Sequence, residues 1–388
     1  MKYFMLCAII SMNLFIVVST LFKETFKLPI DSLYYPIMVL IAALTILYAI
    51  FNVFKTKKMP IGFALLVFLV LLIFVAYFIS PHNNEKLSEN NLKFFLLWSV
   101  SAAICGVYIK YLSKQTVEKF FKWIFIVFSI TFLLVILLPY LFGSLPGYID
   151  FGLMNYQNAS YLSAFTSGLG IYIILRVKVK YRFFYIVMTF LTLPSVFIPG
   201  GRGGAILLIL YFMLALVILT FKREIPAIIK ILVYFVAFVA AVSLIIYVFK
   251  SGGDSRTFSY IKGGSFDVGG TSGRGPIYEM SMYFISRQPI FGYGPFNYYY
   301  LIHNIPHNII LEMLLSFGFV GLIIILFALV LMAINFIKNY DSKSIDLLVI
   351  FIAIYPITLL MFSSNYLVTS EFWFVLFYFL TKGRKNYV

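Results

Sequence analysis

Charge is what this chain has least of. Only 11% of its 388 residues are Asp, Glu, Lys or Arg, and just 14 are acidic. Soluble domains carry about 25% charged and 45–50% apolar residues; here 62% are hydrophobic and the mean hydropathy is +1.00. One interior cannot absorb that excess, because core volume does not grow that fast with chain length. A water-soluble globular enzyme is excluded, and lipid must cover the remainder. Cysteine is scarce too. The two present, Cys7 and Cys105, lie inside apolar runs, which argues against a disulfide framework or a thiolate metal site. The sequence has no Walker loop, no Cys-x-x-Cys, no zinc-ligand pair and no outer Asp-x-Asp pair, so no metal and no cofactor are expected. Any group transfer would then rely on arginine to neutralise a leaving anion. Internal repeats, heptads and low-complexity tails are missing as well.

What the chain does have is apolar runs of membrane length. Crossing about 30 Å of hydrocarbon takes about 20 apolar residues. That template predicts helices near 3–22, 34–54, 61–79, 92–110, 123–142, 158–175, 183–198, 204–221, 227–249, 308–337, 345–363 and 368–381. The expectation is an all-α, polytopic transmembrane bundle of about 12 spans. The first run has no small-residue cleavage site after it and reads as a retained span rather than a signal peptide. Thirty Lys and Arg give a net charge of +16. They cluster in short loops between the apolar runs, which points to topology control and contact with anionic lipid, not to nucleic acid. With a cytoplasmic amino terminus, most of them fall in alternate, inner loops, and an even span count puts both termini in the cytoplasm.

One polar stretch is long enough to fold by itself. The chain therefore divides into spans one to nine over 1–249, an extracytoplasmic loop over 250–306, and the last three spans over 307–388. Within the loop, Pro276 to Gln288 carries Ile277, Met280, Phe284 and Ile285 at helical spacing, with Pro289 ending the run. This predicts an amphipathic helix along the membrane surface. The next apolar run, Pro306 to Ile337, would reach about 46 Å as one helix, so its first turns should project into the outer headgroups.

Polar groups at membrane boundaries mark candidate chemistry. In Pro199-Gly200-Gly201-Arg202-Gly203-Gly204, four glycines around one arginine at a helix start fit either an anion nest or a tight interhelical turn. Arg274, in Ser272-Gly273-Arg274-Gly275-Pro276, lies where the amphipathic helix has unpaired N–H groups, as an anion site or a solvated loop residue. In His303-Asn304-Ile305-Pro306-His307-Asn308, an imidazole can take a proton from a hydroxyl at neutral pH, or simply sit at the interface. Glu312 lies about 140° around the helix from His307, which disfavours a direct dyad and leaves it to hydrogen-bond another helix. The run Tyr298-Tyr299-Tyr300 reads as an interfacial aromatic cluster, with sugar stacking as the alternative.

Taken together, several strings resemble the O-antigen ligase and polysaccharide polymerase family. They are Arg274-Gly275-Pro276-Ile277-Tyr278, Pro289 to Asn297, His307-Asn308 through Glu312, and Gly318-Phe319-Val320-Gly321. Gly201-Arg202-Gly203-Gly204 is similar to that family's Ser-Arg-Gly element, with glycine in the serine position, and Asn158-Ala159 is similar to its Asn-Ala element. The resemblance covers about residues 150–325. It implies a metal-independent membrane glycosyltransferase with a GT-C-like bundle, at the outer face of the cytoplasmic (inner) membrane. The implied donor is a glycan on undecaprenyl pyrophosphate and the implied acceptor is a glycan hydroxyl. Arg202 and Arg274 would hold the pyrophosphate, and His307 would position or deprotonate the acceptor. Asn158, Gly201, Gly203, Tyr278 and Asn308 would line the substrate site. A polymerase of capsule or O-antigen repeat units is the favoured expectation, working beside a chain-length regulator and a flippase. A ligase acting on lipid A core or protein is the alternative. A flippase fits less well, because it should carry charges at the bilayer midplane.

Overall fold

A computed structural model describes residues 2–80, 86–176, 181–221, 231, 261–262, 265–266, 274–341 and 343–382. Among these the helices are α1 (Lys2–Phe26), α2 (Asp31–Thr56), α3 (Ile61–Ile79), α4 (Lys86–Tyr111), α5 (Lys114–Leu141), α6 (Tyr156–Arg176), α7 (Arg182–Phe197), α8 (Arg202–Phe221), α9 (Gly275–Arg287), α10 (Tyr298–Ile302), α11 (Ile309–Lys338), α12 (Asp346–Phe362) and α13 (Ser370–Thr381). Each predicted span position except the ninth carries a helix; that one, 227–249, lies outside the described residues except for Ile231. Seven helices, α1 to α5, α8 and α11, are long and apolar enough to cross a membrane, and α7, α12 and α13 are shorter apolar helices. The described residues are otherwise helical, as expected, with one short strand pair inside the predicted loop. The strands β1 (Ile261–Lys262) and β2 (Ser265–Phe266) pair antiparallel, Ile261 opposite Phe266.

The chain groups into two compact units. One comprises Met1–Ile16, Pro29–Phe121 and Pro276–Val388. Within it, α13 packs on α4, α11 and α12. Small residues let these backbones approach, as membrane helices generally require. A Cβ on Gly106 of α4 would lie 2.5 Å from the Phe374 carbonyl of α13. In contrast, α3 presents Phe68, Leu71, Val75 and Phe78 outward, the surface that lipid would cover.

The other unit comprises Val17–Leu28 and Lys122–Gly275. Here α6 packs against both α7 and α8. This helix spends its interior on hydroxyls, since Ser160, Ser163, Thr166 and Ser167 are all fully buried. Thr166 and Ser167 donate to carbonyls four residues back, at 2.7 and 2.9 Å, which satisfies a hydroxyl without a partner helix. Glycines complete the fit: a Cβ on Gly168 would meet the Tyr211 ring of α8 at 2.5 Å.

The long run after His307 is not the single helix expected from its length. Gly318 has φ 63° and ψ −163°, and the helix breaks there. The segment 289–294 fills the break. The Tyr293 and Gly294 N–H groups donate to the Leu315 and Ser316 carbonyls at 2.7 and 2.8 Å, while Phe319 and Val320 donate to the Pro289 and Ile290 carbonyls at 2.8 and 3.2 Å. In a continuous helix, Phe319 and Val320 would bond Leu315 and Ser316 directly. The loop has inserted itself into two rungs of the ladder and pairs the four backbone groups that the break would otherwise strand. Beyond the break, 319–338 rises about 30 Å, enough to span the hydrocarbon without the overhang.

Candidate functional site

The sequence-predicted residues fall into three local groups. The first surrounds Arg202, the opening residue of α8, which is half-buried. The glycines beside it are explained by packing. Ser160 of α6 donates to the Val196 and Gly201 carbonyls at 2.6 and 2.7 Å. A Cβ at Gly201 would lie 2.5 Å from Ser160 Cβ, one at Gly203 would lie 1.8 Å from the Tyr161 hydroxyl, and one at Gly204 would lie 2.1 Å from Ser160 Oγ. The interhelical-contact reading therefore accounts for these glycines, and they bring α6 and α8 together at their first turns. At position 201 the space a side chain would take is filled by the Ser160 side chain. The start of α6 is fixed in turn by Asn155, whose Oδ1 accepts the Asn158 N–H at 2.9 Å. Asn158 thus sits in the first turn of the helix that abuts Gly201 and Gly203.

The second group is Arg274 and Tyr278. Arg274 directly precedes α9, and both residues are half-buried. The covered stripe of α9 differs from the predicted one. Ser281 and Ile285 are buried and Ile277, Tyr278 and Phe284 half-buried, whereas Met280 faces outward with Met282 and Tyr283. Ser281 is accepted inside because its hydroxyl donates to the Ile277 carbonyl at 2.6 Å. Ser272 and Gly273 lie outside the described residues.

The third group is His307 and Asn308. His307 is half-buried with φ 54°, and its Nδ1 lies 2.8 Å from the Ser363 carbonyl oxygen. A carbonyl only accepts, so Nδ1 carries the hydrogen, and in the neutral form of the ring the basic nitrogen is Nε2. That is the tautomer a general base needs. His303, by comparison, is exposed at the carboxyl end of α10. Asn308 caps α11, its Oδ1 accepting from the N–H groups of Ile310 and Leu311 at 2.9 and 3.3 Å. The carbonyl half of this amide is committed to the backbone, and its N–H₂ half remains the donor. Asn308→Ala is expected to cost about 1 kcal/mol of stability through loss of the cap, measurable by denaturant titration in detergent.

Sequence reasoning missed the partners of Glu312, which is 1% exposed. The Tyr298 hydroxyl donates to its Oε1 at 2.6 Å and the Tyr366 N–H donates to its Oε2 at 3.2 Å. Tyr298 and Tyr299 are buried and only Tyr300 is exposed, so the tyrosine run is mostly interior. Burial pushes the Tyr298 phenol well above its ordinary range and keeps it a donor. The described residues also hold two further buried acids. Glu371 accepts from Asn13 at 2.6 Å, and Asp346 pairs with Lys382 at 2.5 Å. No group of three or more metal-ligating side chains occurs among the described residues.

Residues 187–326 match the family model described as O-Antigen ligase. That stretch contains Arg202, Arg274, Tyr278, His307 and Asn308. Comparison with curated proteins and with solved structures found no match in either.

Proposed function

From the premise of an O-antigen ligase domain over residues 187–326, we propose that this chain is a membrane glycosyltransferase that polymerises lipid-linked repeat units of a capsule or O-antigen polysaccharide. The donor is a glycan on undecaprenyl pyrophosphate at the outer face of the cytoplasmic membrane. The bundle has twelve spans and both termini inside. The observation that carries this reading is that one matched stretch holds both arginines and the histidine.

The chemistry follows from those groups. The acceptor hydroxyl attacks the anomeric carbon of the donor, and its proton passes to Nε2 of His307. The new carbon–oxygen bond forms as the bond to the lipid pyrophosphate breaks, and the electron pair leaves with the phosphate oxygen. Arg202 and Arg274 take the developing charge by forked hydrogen bonds. Asn158, Gly201, Gly203, Tyr278 and the Asn308 amide border the substrates. A chain-length regulator and a flippase are the partners beside which such a polymerase would work.

The test is purified protein in liposomes with lipid-linked repeat units, read as a glycan ladder. Arg202→Ala and Arg274→Ala should each lower the rate by about 10²-fold or more, the usual cost of one transition-state charge partner. Ladder formation by Arg274→Ala at the unsubstituted rate would overturn the assignment. The description of the matched domain favours a second reading, in which the finished glycan passes once to lipid A core or a protein. Replacing the repeat-unit acceptor by lipid A core separates them: a single product band marks the ligase.

A further inference from the structure

The loop 363–369, between α12 and α13, is tied down from several sides. The Ser363 carbonyl meets His307 Nδ1. Two residues on, Asn365 donates to Asn91 of α4 at 3.2 Å and its Oδ1 accepts the Val368 N–H at 3.0 Å. The Leu367 carbonyl accepts from Ser99 at 2.6 Å, and the Tyr366 carbonyl accepts from the Trp373 indole at 2.8 Å. A further tie is Glu312, which takes the Tyr366 N–H on one oxygen and the Tyr298 hydroxyl on the other.

Glu312 lies on the first turns of the helix that follows His307, capped by Asn308. Its side chain therefore couples the helix that follows His307 to the loop that orients the ring. We propose that Glu312 is a positioning residue which, bridging Tyr298 and Tyr366, holds loop 363–369 so that the Ser363 carbonyl fixes the orientation and tautomer of His307. It acts through the loop and touches no reacting atom. The activity part of this inference rests on the transferase reading above; the geometric part does not.

The bridge needs two acceptors or their equivalent, not a negative charge. A glutamine fits: its Oε1 can accept the Tyr366 N–H, and its N–H₂ can donate to the Tyr298 oxygen. Alanine leaves the Tyr366 N–H buried without a partner. Tyr298→Phe removes one side only.

Two readouts test this on the full-length protein. The first is carbethoxylation by diethyl pyrocarbonate, quantified by mass spectrometry as the ratio of His307 to the exposed His303. Glu312→Ala should raise the ratio about threefold or more as the loop opens locally, while Glu312→Gln should leave it unchanged. The second is turnover in the liposome assay. Glu312→Ala should lower kcat about 100-fold, the cost of misplacing a catalytic group by about 1 Å, with KM for the lipid-linked donor unchanged. Glu312→Gln should restore it. If Glu312→Ala does not extract as a monodisperse species, Tyr298→Phe decides: a raised ratio with lowered kcat supports the proposal, and wild-type values of both overturn it. Equal ratios in wild type and Glu312→Ala overturn it as well. A shifted ratio in a protein with no transferase activity leaves the positioning link standing and removes the transferase reading instead.

Discussion

His307→Asn should cut glycan transfer by about 10²- to 10⁴-fold, the range over which a positioned general base contributes, with donor binding retained. Asparagine is the informative replacement because His307 sits at φ 54°. Asn tolerates that left-handed backbone better than most residues, whereas alanine would add a conformational cost of about 1–2 kcal/mol. A folding defect is then not mistaken for lost chemistry. His303 supplies the matched control, since it too is left-handed, at φ 50°, but exposed. His303→Asn should turn over at the wild-type rate. A His307→Asn protein within threefold of wild type would remove the base from the proposed reaction, and an inactive His303→Asn protein would reassign it. The measurement is initial rate against donor concentration in liposomes. A base that acts only on the bound acceptor lowers kcat and leaves the donor KM in place.

Helix positions were legible because membrane length and apolar composition are one-dimensional properties of the chain. Even α6, with its buried hydroxyls, was found at 158–175, since serine and threonine bonded to their own backbone cost a helix little. What the sequence conceals is pairing at a distance. Glu312 meets residues 14 and 54 positions away, and no local periodicity encodes such a bond. The glycines around Arg202 show a different obstacle. A glycine that lets a neighbouring helix close in and one that turns its N–H toward an anion look identical in sequence. Only the Ser160 and Tyr161 contacts distinguish them. Asn308 carried a readable signal, a capping residue directly before an apolar run, which sits beside its expected substrate role. The break in α11 was hidden because the run from 306 to 337 is apolar on both sides of Gly318, and glycine is common in membrane helices. Its trace in sequence was the turn-rich segment 289–294, whose backbone needs a destination.

That destination makes Gly318 the position of largest expected structural effect. Its φ of 63° and ψ of −163° lie in a region that only glycine enters readily. An added Cβ would stand 2.3 Å from the Ile290 carbonyl oxygen, a backbone atom that cannot rotate away. Gly318→Ala should therefore destabilise by about 3 kcal/mol or more, summing backbone strain and overpacking. Gly292 faces the same junction from the other side: it has φ 66°, and its Cβ would lie 2.6 Å from the Leu315 carbonyl. The two substitutions attack one set of four hydrogen bonds, so their costs should not add. The double variant Gly292→Ala with Gly318→Ala should lose at least about 1 kcal/mol less than the sum of the singles. Gly147→Ala, in open space, serves as the neutral control. Denaturant titration in detergent measures all four. Strict additivity would mean that the inserted loop and the broken helix open independently. Strong coupling would mean that segment 289–294, which follows α9 and its preceding Arg274, and the helix that follows His307 form one cooperative element. In that case four backbone hydrogen bonds hold segment 289–294 in register with the helix that follows His307.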